Sequence, residues 1–177
     1  MLFPPSLRDL VLTLGALGAY EVRWSDAILE ELTRTVVAQY PDIDPARFEA
    51  TTIAAMRAAF PDAVVEGWER VVDDMDNDPY DRHVAAAAVV AGADAIITRN
   101  VRDFAGHALR EGGVAIITPG DLVGGLLDDL ADRVVEAVME MARRKANPPM
   151  SVGDVLDVLA RQPDLTAVVG RLRALIE

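Results

Sequence analysis

Two short runs limit what this chain can fold into more than any other feature. They are Ala95-Ile96-Ile97-Thr98 and Val114-Ala115-Ile116-Ile117-Thr118. Both are apolar at consecutive positions, the pattern of strands buried on two faces in a parallel sheet. Parallel neighbours cannot be joined by a hairpin. They need crossover connections, and helical patterns lie around these runs. The expected fold class is α/β with a parallel sheet in three layers, followed by a helical C-terminal extension. In such sheets chemistry sits beyond the carboxyl ends of the strands. The positions to inspect therefore follow Trp24, Thr98 and Thr118 or open the next helices.

The rest of the chain fills in around that sheet. Leu2-Phe3-Pro4-Pro5 reads as extended, since each proline disfavours helix at the residue before it. Ser6, with Asp9 three residues on, is expected to cap a helix striped by Leu7, Leu10, Val11, Leu14 and Leu17 and ended by Gly18. Tyr20 to Trp24 reads as a strand. Ser25 caps the next helix, which buries Ile28, Leu32, Val36 and Val37 and reaches about Tyr40. Asp44-Pro45 opens a third. Ala63 to Val65 is a short apolar piece, and Asp73 to Pro79 is an acidic loop. From Pro79 the pattern is helical as far as Gly92.

Beyond Asp121 there is no strand signal. Leu122 to about Arg144 reads as one long amphipathic helix with a stripe of Leu126, Leu130, Val134, Val138 and Met141. Asn147-Pro148-Pro149 breaks it. Ser151 with Asp154 caps another helix, and Pro163-Asp164 starts a last one ending near Ile176. The expected division is an α/β domain over residues 1–121 and a helical subdomain over 122–177.

Composition removes several chemistries. The 177 residues include no Cys, which excludes disulfides, Cys-ligated zinc, iron–sulfur clusters and thiol catalysis. Lys145 is the single lysine, and it lies in the helical tail. A phosphoacceptor receiver domain needs a lysine after its last strand, and a P-loop needs Gly-Lys-Ser/Thr; neither is present. A dinucleotide-binding G-x-G-x-x-G is missing too. No apolar run reaches the ~18 residues of a membrane span, so the expected setting is cytoplasmic, with no membrane partner. The net charge of −12 argues against broad electrostatic attraction to nucleic acid. Carboxylates can still meet a phosphodiester through metal ions between them.

The most informative stretch runs Asp78-Pro79-Tyr80-Asp81-Arg82-His83-Val84-Ala85-Ala86-Ala87, then Ala95-Ile96-Ile97-Thr98-Arg99-Asn100-Val101-Arg102-Asp103-Phe104. It has an Asp at a helix start, an alanine-rich helix, a buried strand ending in Thr-Arg-Asn, and then Asp-Phe. This resembles the signature of the PIN-domain family, and of its VapC-like toxin ribonucleases in particular. Leu2-Phe3-Pro4 before an amphipathic helix, Trp24-Ser25 with Glu31 six residues after the serine, and Val114 to Pro119 fit the same pattern in order. The resemblance spans residues 1 to about 121.

It implies an endoribonuclease that uses Mg²⁺ or Mn²⁺ and cleaves RNA by in-line attack of metal-activated water. It implies Asp81 and Asp103 as metal ligands, Glu31 in support, and Asn100 ordering water. It also implies a cognate antitoxin as partner, and a homodimer. Converging carboxylates repel one another unless a cation lies between them, and oxygen donors with no Cys and little His favour Mg²⁺ or Mn²⁺ over zinc.

Each residue also has an ordinary reading. Asp81 would serve as a helix cap, although Asp78 is expected to take that role and release it. Asp103 and Asn100 would shape a turn. Glu31 would be a solvated helix glutamate, with Glu30 beside it making the register ambiguous. Arg99, Arg102 and Arg82 would either hold RNA phosphates or form surface ion pairs. His83 reads as a supporting residue on the helix surface. The acidic run from Asp73 to Asp78 lacks the glycine and terminal glutamate of a calcium loop and reads as solvated.

The family's first strand and its aspartate have no counterpart in the sequence. The resemblance begins at full strength with Leu2, so upstream codons for a short apolar strand ending in Asp are expected before Met1. The competing reading is a catalytically impaired PIN-like module that only binds a protein partner.

Overall fold

The computed structural model describes residues 4–176. The extended reading of Leu2-Phe3 lies outside them. Helix α1 is Pro5–Ala16. Its cap position is Pro4, with no side-chain cap bond, so the expected Ser6 cap is corrected. Proline fits the first turn because its missing N–H would have no helical partner there, and this moves the start ahead of Ser6.

Helix α2 is Asp26–Gln39, capped by Ser25, whose hydroxyl accepts from the Ile28 N–H at 3.3 Å. Its buried residues are Leu29, Leu32, Thr33 and Val36, with Ile28 and Val37 only half-buried. Helix α3, Pro45–Phe48, is capped by Asp44 as expected and passes through a π-helical turn at Glu49–Ile53 into α4, Ala54–Ala59. Helix α5 is Arg82–Ala91, strand β1 is Ala95–Ile97, helix α6 is His107–Glu111, and strand β2 is Ala115–Ile117. Helices α7 (Pro119–Asp129), α8 (Ala131–Arg144), α9 (Val152–Ala160) and α10 (Thr166–Ile176) complete the chain.

The described residues form two compact units. One takes the chain up to Glu21 together with Thr118 onward, and the other is Val22–Ile117. The second break lies close to the expected boundary at 121, but α1 groups with the C-terminal helices.

In the helical unit, Leu7, Leu10 and Leu14 of α1 share one core with Val134, Val138 and Met141 of α8, Leu156 and Leu159 of α9, and Leu172 of α10. The expected long helix over 122–144 is two helices. The chain turns at Leu130, which leaves the helical region at φ −138°, ψ 47° and is exposed. The break resets the stripe, so α7 buries Val123 and Leu127 while α8 buries Val134, Val138 and Met141. Thr118 with Asp121 and Ser151 with Asp154 form complete capping boxes at α7 and α9. Gly120 is required by space, because a Cβ there would lie 2.1 Å from the Asp164 carbonyl oxygen.

In the α/β unit, β1 and β2 pair in parallel, with Ala95 opposite Ala115, Ile96 opposite Ile116 and Ile97 opposite Ile117. Of these, Ile96 is buried and the rest are half-buried or exposed, less than a two-faced apolar pattern predicts. The expected strand at Tyr20–Trp24 is reduced to one parallel bridge, Trp24 with Val64. There the Trp24 N–H donates to the Ala63 carbonyl at 2.9 Å, and the Val65 N–H donates to that of Trp24 at 2.8 Å. Ala85, Ala86 and Ala88 of α5 pack with Ile96, Phe104, Leu109 and Val114. Small side chains on that face let helix and sheet approach closely. Among the described residues no helix is long and apolar enough to cross a membrane.

Candidate active site

All seven residues singled out from the sequence lie in the α/β unit, on three pieces of backbone. Glu31 is on α2. Asp81 and Arg82 stand at the start of α5. Arg99, Asn100, Arg102 and Asp103 follow β1, the last two in a 3-10 turn at Val101–Phe104.

The start of α5 is built by a turn. The Asp78 carboxylate accepts from the Tyr80 N–H at 2.9 Å, and the Asp78 carbonyl accepts from the Asp81 N–H at 3.0 Å. The helix therefore opens at Arg82, later than expected, with Asp81 at its cap position. Asp78 does not cap it, so that expectation is corrected: an Asx turn occupies its carboxylate instead. Asp81 makes no side-chain cap bond either. Its carboxylate is held by neither role.

The turn after β1 is tied to this start. The Asp78 N–H donates to the Asp103 carbonyl at 3.0 Å, so the two segments meet backbone to backbone. Within the turn, the Thr98 hydroxyl accepts from the Asn100 N–H at 3.0 Å, and the Asn100 carbonyl accepts from the Asp103 N–H at 3.0 Å. Asn100 thus shapes the turn through its backbone, while its side chain is exposed.

The acidic loop is more than a solvated run. The Asp76 carboxylate accepts from the backbone N–H groups of His107 at 2.7 Å and Ala108 at 3.2 Å, satisfying orphan donors at the start of α6. These two bonds hold the Asp76 carboxyl below its ordinary range. The loop approaches so closely that a Cβ on Gly106 would lie 2.5 Å from an Asp76 oxygen. Asp76 and Asp78 together fasten the Asp103 turn and the helix behind it to the start of α5. The sequence separation of 31 from Asp76 to His107 leaves no local pattern for sequence reading to find.

Glu31, rather than Glu30, turns towards α5. Its carboxylate lies 3.1 Å from His83 Nε2, while Glu30 is exposed. The His83 bond is the main reason the Glu31 carboxyl sits below its usual range, and partial burial opposes it. The His83 ring also meets Trp68 edge-on, with ring centroids 6.2 Å apart. Sequence reading gave His83 a supporting place without naming its partner.

Asp81 is displaced the other way. Partial burial raises its pKa first, and the negative charges of Glu31, Asp103 and Asp78 raise it further against a smaller opposing effect of His83. Glu31 and Asp103, the acids predicted to work with Asp81, are therefore within electrostatic reach of it. Among the described residues, no three His, Asp or Glu side chains are grouped closely enough to hold a metal ion. Arg82 donates from Nε to the Asn77 carbonyl at 3.4 Å, Arg99 is half-buried, and Arg102 is exposed.

A PIN-domain family model matches residues 2–102, and a model of the VapC50 C-terminal domain matches residues 119–174. A relative from Mycobacterium tuberculosis, named "Putative ribonuclease VapC50", is 31% identical over 107 residues. The match covers 60% of this chain and 63% of the relative's length. No solved structure matches the chain significantly. The PIN model spans more than half of the chain, and its matched segment carries six of the seven acidic, amide and basic residues described above, all but Asp103. The chain belongs to the PIN-domain family, and its C-terminal region is similar to the VapC50 C-terminal domain.

Proposed function

We propose that this protein is a metal-dependent endoribonuclease, the toxin of a bacterial toxin–antitoxin pair. The observation that carries the reading is Asp81. It occupies a helix cap position without capping, and it is pushed above the ordinary carboxylate range by burial and three neighbouring acids. Repulsion of this kind is tolerable where a cation neutralises it. Family membership and the name of the mycobacterial relative point the same way.

The donors suit a hard divalent cation. Asp81 and Asp103 would hold Mg²⁺ or Mn²⁺ through carboxylate oxygens, with Glu31 in support. Such an ion supplies charge neutralisation at a phosphate and lowers the pKa of water. The chain's own residues do the rest. His83 orients Glu31, the Asn100 side chain orders water, and Arg99, Arg102 and Arg82 receive phosphate oxygens as charge-assisted donors. Hydrolysis proceeds by in-line attack of water on phosphorus. RNA is the substrate, a cognate antitoxin and a second copy of the chain are the partners, and the cytoplasm is the setting.

The test is RNA cleavage with added Mg²⁺ or Mn²⁺, with chelator as control. Asp81→Asn should lower the rate by at least about a hundredfold, the usual scale for losing a charged group that acts at the reacting centre. Native-rate cleavage by Asp81→Asn would remove the assignment.

A second reading has its own support. Glu31 is occupied by His83, and the described acids do not close into a metal-holding group. On that reading the chain is a catalytically impaired PIN-like module that binds a protein partner. Absence of cleavage in any divalent ion would favour it.

A further inference from the structure

Tyr80 precedes Asp81 and is 89% exposed. Among the described residues no other aromatic side chain comes near this; the next, Tyr40, is 43% exposed. A ring of this size left in water forgoes the burial energy that aromatic side chains usually contribute. Its backbone is nonetheless fixed. The Tyr80 N–H is held by the Asp78 carboxylate at 2.9 Å, Asp81 and Asp78 are joined across the turn by an N–H to carbonyl bond, and the Asp78 N–H donates to the Asp103 carbonyl. The ring is therefore presented from a hydrogen-bonded turn that spans Asp78 to Asp81, directly beside Asp81 of the candidate site. The exposed Asn100 and Arg102 belong to the adjoining turn.

The charge of the chain explains why such a ring is needed. At −12, the molecule repels a polyanion at long range, so general phosphate attraction cannot supply affinity. Every nucleobase has a π-face, and stacking on an aromatic ring is insensitive to phosphate charge. A projecting ring reaches the π-face of a base that is unpaired or at a helix end, not of one stacked inside a duplex.

We infer that Tyr80 is a binding residue on which an unpaired base of the RNA stacks. This rests on the ribonuclease reading above and adds a residue that holds the RNA beside Asp81. The tyrosine ring does the work and its hydroxyl is dispensable.

The experiment measures binding of a short fluorescein-labelled RNA without internal pairing, and of the same strand annealed to its complement, by fluorescence anisotropy. The full chain is used in an Asp81→Asn background so that binding is read without cleavage. Cleavage by the wild-type chain is followed separately. Tyr80→Ala should weaken single-strand binding roughly five- to hundredfold, the range for one stacked base. Tyr80→Phe should bind as the parent does, and duplex binding should be the same in all variants. Because no phosphate contact is removed, the salt dependence should keep its slope. Unchanged single-strand binding by Tyr80→Ala would overturn the inference and leave the ring to a protein partner. A comparable loss in Tyr80→Phe, or on the duplex, would overturn stacking. If the wild-type chain neither binds nor cleaves RNA, the ribonuclease reading fails and this inference falls with it.

Discussion

The two units use the same acidic residues for opposite ends. In the helical unit Asp121 and Asp154 complete capping boxes, and the hydroxyls and N–H groups of Thr118 and Ser151 hold both carboxyls below their ordinary range. Asp9 receives Arg144 at 3.0 Å and Lys145 at 2.9 Å, Asp128 faces Arg171, and Asp157 faces Arg173. Each of these acids has a donor or a cation as its partner. In the α/β unit Asp81 has no cap bond and is pushed upward by burial and by its acidic neighbours. A lowered pKa records a donor that satisfies the carboxylate, as at Asp121 and Asp154, and also at Glu31 beside His83 in the candidate site. One whose pKa is raised marks where the fold has accepted a cost. Asp76 shows that the distinction follows the donors and not the unit, since it lies in the α/β unit and is held down by two backbone N–H groups.

This contrast can be broken at three points. The largest effect should come from the apolar core of the helical unit. Leu159 is fully buried among α1, α8 and α10 residues, and Leu159→Ala should cost about 2–5 kcal/mol in urea unfolding. An unchanged midpoint would mean that this unit is held by its caps and ion pairs instead.

An intermediate effect is expected at Asp76. Asp76→Ala should lower the melting temperature and speed amide exchange at His107 and Ala108, because both lose their acceptor. The sign with pH follows from the depressed folded pKa. The stabilisation is present above the ordinary value of 3.8 and is lost as pH falls through the lower folded value. Wild type and Asp76→Ala should therefore converge in stability at strongly acidic pH. A gap that persists there would assign the effect to something other than the carboxylate.

The smallest effect has the opposite sign. The Asp81 pKa is raised, so its ionised form destabilises the folded state at neutral pH. Without metal, Asp81→Asn should melt at a slightly higher temperature than wild type at neutral pH. That advantage should vanish as pH falls and Asp81 takes up a proton. A lower melting temperature would show that Asp81 supports the scaffold after all.

Local chemistry was legible in the sequence and distant pairing was not. The strands at Ala95–Ile97 and Ala115–Ile117, the Ser25 and Asp44 caps and the Ser151–Asp154 box depend on neighbours a few residues away. Ser6 was overruled because Pro4 and Pro5 set the helix start first. The break at Leu130 carries no proline or glycine, so nothing in Leu122–Arg144 announces it. At the candidate site, the Glu31 register was ambiguous until His83, 52 residues later, resolved which glutamate turns inward. The staple from Asp76 to α6 had no sequence signal of any kind. Tyr80 stood in the quoted motif, but only its exposure separates it from a core aromatic.

The pairing of α1 with the C-terminal helices also has a consequence for synthesis. Asp9 and its partner Arg144 are 135 residues apart. At about 5–20 residues per second, a ribosome needs roughly 7–27 s to make that stretch. For most of that interval Leu7, Leu10 and Leu14 wait for the α8 residues that bury them, and α9 follows later still. The whole α/β unit is synthesised in the meantime, from the continuous segment Val22–Ile117. The nascent chain thus carries an uncovered leucine stripe until α8 and α9 have been made, and α1 is a segment on which a holding chaperone would act.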